Sequence, residues 1–313
     1  MKILSYPHQA CTKVLLTTAL GALLTGAAHA QVYVSNDFGS QVSEYSDSGQ
    51  LISADFISTD AATGLALANG TLYVTQGDEL AAFNATTGAV DSSFTTVSGL
   101  STPLGVAVNS MAISGGDVYV AEGNGTIGEF NATTGATVNS SLISGLNEAA
   151  AISISGGDLY VASFPDSGST VGTVGVYNAT TGAAITKSLV SGLNTPQGLV
   201  LANGDLFTLN DGSGTVSEFN ATTGTAIHTS LISGLNEAQG MALTSNDDLL
   251  ITTSTGVREY DLSGDLVNGN FITGLDIAVG IAVTPEAVPE PSAWALGLLA
   301  AVALVAVRSV RRA

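Results

Sequence analysis

Cysteine is almost missing from this chain of 313 residues, in which Cys11 is the single example. It precedes an apolar N-terminal run that is expected to be removed, so the remaining body carries no thiol. This absence excludes a disulfide framework, a cysteine-based metal site and a thiol nucleophile from the body. A repeat core of this size is stable without such covalent links.

Positive charge is scarce as well, with seven Lys and Arg residues against 26 Asp and Glu residues. All 26 acidic residues lie between Asp37 and Glu290, a stretch whose basic residues are Lys187 and Arg258 alone. The other five basic residues lie in the end segments, at Lys2, Lys13, Arg308, Arg311 and Arg312. A surface this acidic repels phosphate backbones and anionic lipid, so we expect no nucleic-acid partner.

Familiar catalytic motifs are also missing, since the chain has no GxSxG elbow, HExxH pair or DxDxDG calcium loop. The segment from Gly123 to Gly128 spells GxGxxG, but strand-like residues follow it where a dinucleotide site needs a helix N-terminus. We interpret it as a hairpin loop. His228 is the one histidine beyond the N-terminal segment, and it lies in a predicted outer strand, where we expect a solvated surface role.

The chain contains instead a repeated turn motif. The sequence NATTG begins at Asn84, Asn131, Asn178 and Asn220, and degenerate copies occupy 46–49 and 261–264. Each copy follows a short apolar run that ends in an aromatic residue. The spacing between successive copies is close to the roughly 40–45 residues of a four-stranded propeller blade. We expect the Asn side chain to cap the turn and the Gly to supply a positive φ. We prefer this interpretation to N-glycosylation.

The order of the apolar runs predicts how the repeat closes. Inner strands are expected from Gly64, Gly105, Ala150, Gly198, Gly240 and Gly280. No inner strand precedes the outer strands that start at Val32, and no outer strands follow Thr284. The C-terminal strand is therefore predicted to complete the N-terminal blade, which removes free sheet edges. The fold class is all-β, a six-bladed β-propeller of four-stranded blades over residues 31–285.

The pattern GLxL, NG, LYVT, xxF and NATTG, spread over about 250 residues, resembles six-bladed propellers of the NHL, streptogramin-lyase and SMP-30/gluconolactonase-like kind. The resemblance implies the fold, and propellers of this kind serve as enzymes, binding platforms and scaffolds. Lyases of the streptogramin-lyase kind rely on a histidine near the channel mouth, and no residue of this chain matches it.

The N-terminal segment is typical of an exported protein. Residues 1–30 contain Lys2 and Lys13, an apolar run from Val14 to Leu24, and Ala28-His29-Ala30 before Gln31. This arrangement predicts a Sec-type signal helix that is cleaved between Ala30 and Gln31, with the Sec translocon as a transient partner.

The C-terminal segment, 286–313, is similar to the PEP-CTERM sorting signal of Gram-negative bacteria that make extracellular polysaccharide. It carries Val288-Pro289-Glu290-Pro291, an apolar span over 293–307 and a basic end with Arg308, Arg311 and Arg312. The resemblance implies a transmembrane helix, transient anchoring in the inner membrane, processing by an exosortase, and delivery to the cell surface or extracellular matrix. The arginines keep the C-terminus in the cytoplasm. A simple tail anchor is the alternative.

Oxygen ligands recur in the loops that should share one face of the propeller. They are Asn147, Glu148, Asn194, Asn236, Glu237 and Asp276 in one loop set, and Asp37, Asp78, Glu122, Asp166 and Asp211 in the other. A ring of such groups at a channel mouth suits Ca²⁺ or a sugar. We predict Glu148, Glu237, Asp211, Asp78 and Glu122 as metal ligands, with solvated loop acids as the alternative. SMP-30-like enzymes hold a divalent ion at this place.

Taken together, these features favour an exported, non-catalytic binding or scaffold protein of the exopolysaccharide or biofilm matrix. Extracellular polysaccharide or surface proteins are the expected partners, and Ca²⁺ is the one cofactor considered. The alternative is a divalent-metal-dependent lactonase or lyase. Convergence of three or four loop acids on the propeller axis would favour that enzyme.

Overall fold

The computed structural model describes residues 31–36, 40–59, 61–101, 103–108, 116–164, 168–275 and 277–284, with backbone alone for 103–108. The predicted signal helix, cleavage residues Ala28 and Ala30, and the whole sorting tail lie outside these ranges and stay predictions. Gln31, the predicted first mature residue, begins the first strand. Within the described ranges, no helix is long and apolar enough to span a bilayer.

The described residues form six antiparallel sheets of four strands each. Blade 1 begins with β1 (Gln31–Asn36), β2 (Gln41–Ser46) and β3 (Leu51–Ser58). Blade 2 has β4 (Ala62–Ala68), β5 (Thr71–Gln76), β6 (Glu79–Asn84) and β7 (Val97–Ser98), and blade 3 has β8 (Pro103–Val108), β9 (Asp117–Glu122), β10 (Ile127–Asn131) and β11 (Thr137–Ile143). Blade 4 has β12 (Glu148–Ser155), β13 (Asp158–Phe164), β14 (Val171–Asn178) and β15 (Ala184–Asn194).

Blade 5 has β16 (Pro196–Ala202), β17 (Asp205–Asn210), β18 (Thr215–Asn220) and β19 (Ala226–Ser233), with a 3-10 turn at Asp211–Ser213. Blade 6 has β20 (Met241–Leu243), β21 (Asp248–Thr253), β22 (Gly256–Asp261) and β23 (Leu266–Thr273). The last strand, β24 (Ala278–Val283), joins the sheet of blade 1.

Ring closure occurs as the sequence predicted. Strand β24 pairs antiparallel with β1, with Val283 opposite Val32 and Ile281 opposite Val34. Because the first and last strands share a sheet, β24 covers the inner edge of β1, which would otherwise be unpaired. The all-β, six-bladed architecture with four-stranded blades is confirmed, and the inner strand predicted from Gly198 lies within β16.

The hydrophobic core is divided among the six interfaces between blades. One cluster joins Phe207 and Leu209 of blade 5 to Met241, Leu249 and Ile251 of blade 6. Such an arrangement requires strands that are apolar on both faces, because each blade is covered on both sides. The runs of buried residues along β1 and β17 show this pattern.

The NATTG segments form the capped turns expected from the sequence. The Oδ1 atom of Asn84 accepts hydrogen bonds from the backbone N–H groups of Thr86 and Thr87, at 3.0 and 2.9 Å, and from the Thr87 hydroxyl at 3.0 Å. Asn131 and Asn220 make the same set of three bonds. The side chain thus holds the turn that connects the third and fourth strands of a blade.

The same turns also connect neighbouring blades, a role that the sequence analysis did not predict. The Tyr73 hydroxyl of blade 2 donates a 2.6 Å hydrogen bond to the carbonyl of Ala132 in the NATTG turn of blade 3. Tyr33 makes the equivalent bond to Ala85, and Tyr160 bonds Ala221. We call each pair of such a tyrosine and the turn that it contacts a blade clamp. The clamp joins one blade's second strand to the next blade's turn.

The last glycine of the motif completes the blade clamp by close approach. Gly88 has φ +68°, and a Cβ atom there would lie 2.3 Å from the carbonyl oxygen of Phe56 on blade 1. Gly224 meets the carbonyl of Leu189 in the same way. Glycine is therefore needed for space between blades as well as for the left-handed backbone.

Exchange of this glycine tests the blade clamp. We expect Gly88→Ala to destabilise the protein more than Gly70→Ala, which has φ +77° and open space around its Cβ position. The left-handed backbone alone costs about 1–2 kcal/mol in both variants, and the forced separation of blades adds roughly 1–3 kcal/mol in the first. Urea unfolding measures both losses, and equal losses would contradict the clamp.

Ring closure is tested by truncation. A chain that ends at Leu275 lacks β24 and leaves the inner edge of β1 unpaired, so we expect it to aggregate or to lose its cooperative thermal transition. A chain that ends at Thr284 keeps β24 and is the matched control. Circular dichroism melts that coincide for the two chains would contradict closure through this strand.

Candidate functional site

Two sets of loops share one face of the propeller, as expected. The loops between the second and third strands of each blade contact the loops that lead into the next inner strand. Leu100 donates its N–H to the Asp78 carbonyl at 2.9 Å, and Gly123 donates to the Ser101 carbonyl at 2.8 Å. These backbone bonds fix the loop acids relative to each other at the end of the central axis.

A cavity of about 310 Å³ lies on the axis, between the inner strands. Its described lining includes the backbone at Gly64, Gly198 and Gly240, with aliphatic side chains and the amides of Gln197 and Gln239. Hydroxyl groups of the second strands accept the N–H groups of Gly64, Gly240 and Gly280, as Thr252 Oγ1 does for Gly240 at 2.7 Å. The described residues that line the cavity include no ionisable side chain.

Two of the five predicted metal ligands lie close together. Asp211 starts the 3-10 turn after β17, and Glu237 lies in the loop after β19 with φ +49°. Burial raises the pKa of Asp211, the Glu237 charge raises it further, and a hydrogen bond from the Ala238 N–H opposes both. Two acidic groups side by side are a partial ligand set for a divalent cation.

The other three predicted ligands lie apart from this pair. Glu122 is 6% exposed, and its Oε2 atom accepts the Ser101 N–H at 2.8 Å, so it supports a loop. Glu148 begins β12 opposite Phe164, and Asp78 is exposed in the turn after β5. Among the described residues, no three His, Cys, Asp or Glu side chains are grouped so that they could hold a metal ion. Asp37, Asp166 and Asp276 lie outside the described residues, and calcium binding stays a prediction.

His228 lies on β19, the outermost strand of blade 5, where the sequence placed it. Its side chain is 58% exposed, and its Nδ1 atom lies 2.7 Å from Glu218 Oε2 on the neighbouring strand. The GxGxxG segment forms the hairpin between β9 and β10, as interpreted from the sequence. Neither feature belongs to the axial cavity.

Three acidic residues between strands were not predicted from the sequence, of which two are buried and Glu259 is partly buried. Glu44, Glu129 and Glu259 each precede the aromatic residue that comes before a turn motif, and burial raises the pKa of all three. The charge of Asp117 raises the pKa of Glu129 further, and that of Asp248 does the same for Glu259. The recurring pair of Glu followed by Phe or Tyr was the available signal. Glu44 accepts a hydrogen bond from Gln31 Nε2, and Glu129 accepts one from the Tyr119 hydroxyl at 3.4 Å.

Comparison with known proteins gives a partial family match. Residues 38–162 match the family model described as PQQ_2, outer membrane protein assembly factor BamB. This segment is less than half of the chain, so the match is to a BamB-like propeller segment. No curated protein sequence matches the chain.

Solved structures share the fold at low sequence identity. A chain of a nidogen/laminin complex has a TM-score of 0.64 and 15% identity, covering 82% of this chain and 99% of its own length. A protein of unknown function from Bacteroides caccae has a TM-score of 0.60 and 14% identity, covering 83% and 100%. Hydrazine synthase from Kuenenia stuttgartiensis has a TM-score of 0.56 and 15% identity, covering 74% and 73%. These similarities show a propeller fold alone.

The raised carboxyl pKa values predict that the folded propeller is more stable at acidic pH than at neutral pH. A folded-state pKa above the unfolded value gives stability that is present below the unfolded pKa and lost as the pH rises through the folded pKa. The groups involved are Glu44, Asp117, Glu129, Asp211, Asp248 and Glu259. We expect the melting temperature to be higher at about pH 5 than at about pH 7.5.

Two substitutions separate this effect from general charge repulsion. Glu129→Gln should raise the melting temperature at neutral pH and reduce its pH dependence, because it removes a buried charge. Asp91→Asn should lower it at neutral pH, because hydrogen bonds from Ser93 lower the pKa of Asp91. Scanning calorimetry at several pH values measures both. A melting temperature that climbs steadily from about pH 5 to 7.5 would contradict the assignment.

Proposed function

We propose that this chain is an exported, non-catalytic propeller that binds or scaffolds components of the extracellular matrix. The chemistry of the axial cavity supports this function best. Hydrolysis and elimination require a positioned acid, base or nucleophile, whereas glycine backbone, aliphatic groups and two glutamines form much of the described lining. Amide and backbone groups of this kind bind ligands by hydrogen bonds without transforming them.

Export and sorting form the second part of the proposal. The signal peptide would deliver the body through the Sec translocon, and the PEP-CTERM-like tail would hold it in the inner membrane until an exosortase processes it. The cell surface or matrix of a Gram-negative bacterium is then its destination. The partial match to an outer membrane assembly factor supports export. The propeller in the nidogen/laminin complex is a precedent for this fold in a protein complex.

The alternative function is a divalent-metal-dependent lactonase or lyase. The proximity of Asp211 and Glu237 on the loop face is the observation in its favour. Calcium titration by calorimetry, with Asp211→Asn and Glu237→Gln as variants, tests whether this pair binds a cation. A lactonase activity that requires calcium and is lost in both variants would replace the scaffold proposal.

The binding role is tested with protein purified from the surface fraction of its host. We expect this protein to sediment with isolated matrix polysaccharide of the same host and to leave lactone substrates unchanged, with or without calcium. His228→Ala should behave as the wild type, because its exposed side chain is remote from the cavity. Protein that stays in the supernatant at every polysaccharide concentration would contradict matrix binding.

The sorting role is tested by mass spectrometry of the surface-released form. We expect this form to lack residues 294–313. Joint replacement of Pro289 and Pro291 by Ala should trap a full-length, inner-membrane form, because these prolines keep the segment extended before the span. Pro285→Ala, outside the motif, is the control. A released form that still contains Trp294 and Ala313 would contradict processing.

A further inference from the structure

The axial cavity lies where the inner strands carry an irregularity. In five blades, the pairing of the inner strand with the second strand leaves one extra residue on the inner strand. In blade 6, β20 begins two residues after Gln239, and Gly240 bonds the Thr252 hydroxyl instead. A bulge of this kind takes one residue out of the ladder and re-aims its side chain. In the five blades whose inner strands have described side chains, this residue lines the cavity.

Two of these positions hold glutamine, and they belong to neighbouring blades. Gln197 is the extra residue of blade 5, and Gln239 takes the same place before Gly240 of blade 6. The two inner strands lie close together, since a Cβ atom at Gly198 would be 3.4 Å from the Cβ atom of Met241. Both glutamines are partly buried, and neither side-chain amide has a hydrogen-bond partner within the described ranges. The cavity thus has two unpartnered amide groups on one side.

The other described positions of this set are apolar or already hydrogen-bonded. Thr63 of blade 2 shares a 3.0 Å hydrogen bond with the Thr75 hydroxyl. Ala150 of blade 4 and Val279 of blade 1 line the cavity on either side of the two glutamine blades. The described lining includes no aromatic ring and no ionisable side chain. It therefore suits a small neutral group that has a hydrogen-bonding part beside an apolar part.

The chemistry of the lining separates the candidate ligand groups. A carboxylate would enter a strongly acidic body, and no described lining residue carries a positive charge to offset it. A sugar ring that bears hydroxyl groups alone finds no aromatic face in the described lining. An acetamido group is complementary to both parts of the cavity. Its N–H and C=O match the acceptor and donor of two primary amides, and its methyl group matches the aliphatic residues.

We propose that the axial cavity binds the acetamido group of an N-acetylated amino sugar in a neutral polysaccharide. The Oε1 atom of one glutamine accepts the acetamido N–H, and the Nε2 atom of the other donates to the acetamido carbonyl. The methyl group packs beside Ala150 and Val279. The volume of about 310 Å³ is at the lower end of the roughly 300–1,000 Å³ of ligand pockets, so one sugar unit enters. This inference rests on the proposed binding function and names its ligand.

The test uses wild-type protein purified from the host surface and calorimetric titration with matched probes. N-acetylated chitotriose and cellotriose have the same backbone and linkage and differ in the acetamido groups, and oligogalacturonate adds negative charge. We expect the acetylated probe to bind, and the other two to bind at least roughly tenfold more weakly, because they cannot make the hydrogen bonds to both amides. The acetylated probe alone should raise the melting temperature.

Substitution of the glutamines tests the site itself. Gln197→Leu and Gln239→Leu keep the approximate size of the side chain and remove its amide, so each should weaken binding of the acetylated probe about tenfold. Gln41→Leu is the matched control, since Gln41 is a partly buried glutamine of β2 outside the described axial lining, and it should bind like the wild type. Melting temperatures of the free variants establish that they are folded, and if one is not, the comparison of probes on the wild type decides.

The proposal is overturned if the acetylated probe does not bind the wild type, if cellotriose or oligogalacturonate binds equally well, or if both folded glutamine variants bind like the wild type. Any of these results, together with retention of the wild type on matrix polysaccharide, would reject the acetamido site and leave the binding function standing. Failure of the wild type to be retained on that polysaccharide would contradict the binding function itself.

Discussion

The blade clamp is the interaction on which the rest of the structure depends. A propeller has no single core, so each blade is held by what its two neighbours contribute. The Asn of the turn motif shapes the loop, and its Gly lets two backbones approach. In three of the four NATTG turns, the Ala carbonyl accepts a hydrogen bond from the tyrosine of the preceding blade. Local turn chemistry and assembly between blades are thereby encoded in the same five residues.

The repeat made the fold predictable in detail. Strand order, ring closure and the turn caps follow from local patterns that recur six times, so one correct assignment fixes the others. The blade clamp was not predictable, because Tyr73 and Ala132 are far apart in sequence. The turn motif by itself accounts for the NATTG residues without a contact to another blade. The lack of space around Gly88 was not predictable either, because it depends on the position of another blade.

The candidate sites were predictable only in part. The sequence predicts oxygen ligands in both loop sets, but the distances between Glu122, Glu148 and Asp211 depend on how the loops fold. Glu122, for example, is used to hold the Ser101 N–H. Thr208 likewise places a buried hydroxyl where the other blades have Val or Ile. Such a difference becomes visible when the strands are aligned by their pairing.

The central claim is that this propeller acts by binding a component of the matrix rather than by catalysis. Hydrogen–deuterium exchange of the surface-purified protein, with and without the host polysaccharide, tests it most directly. The account predicts slower exchange in the inner strands that line the axial cavity, which include β4, β16 and β24. Slower exchange confined to the loops that carry Asp211 and Glu237 would contradict it.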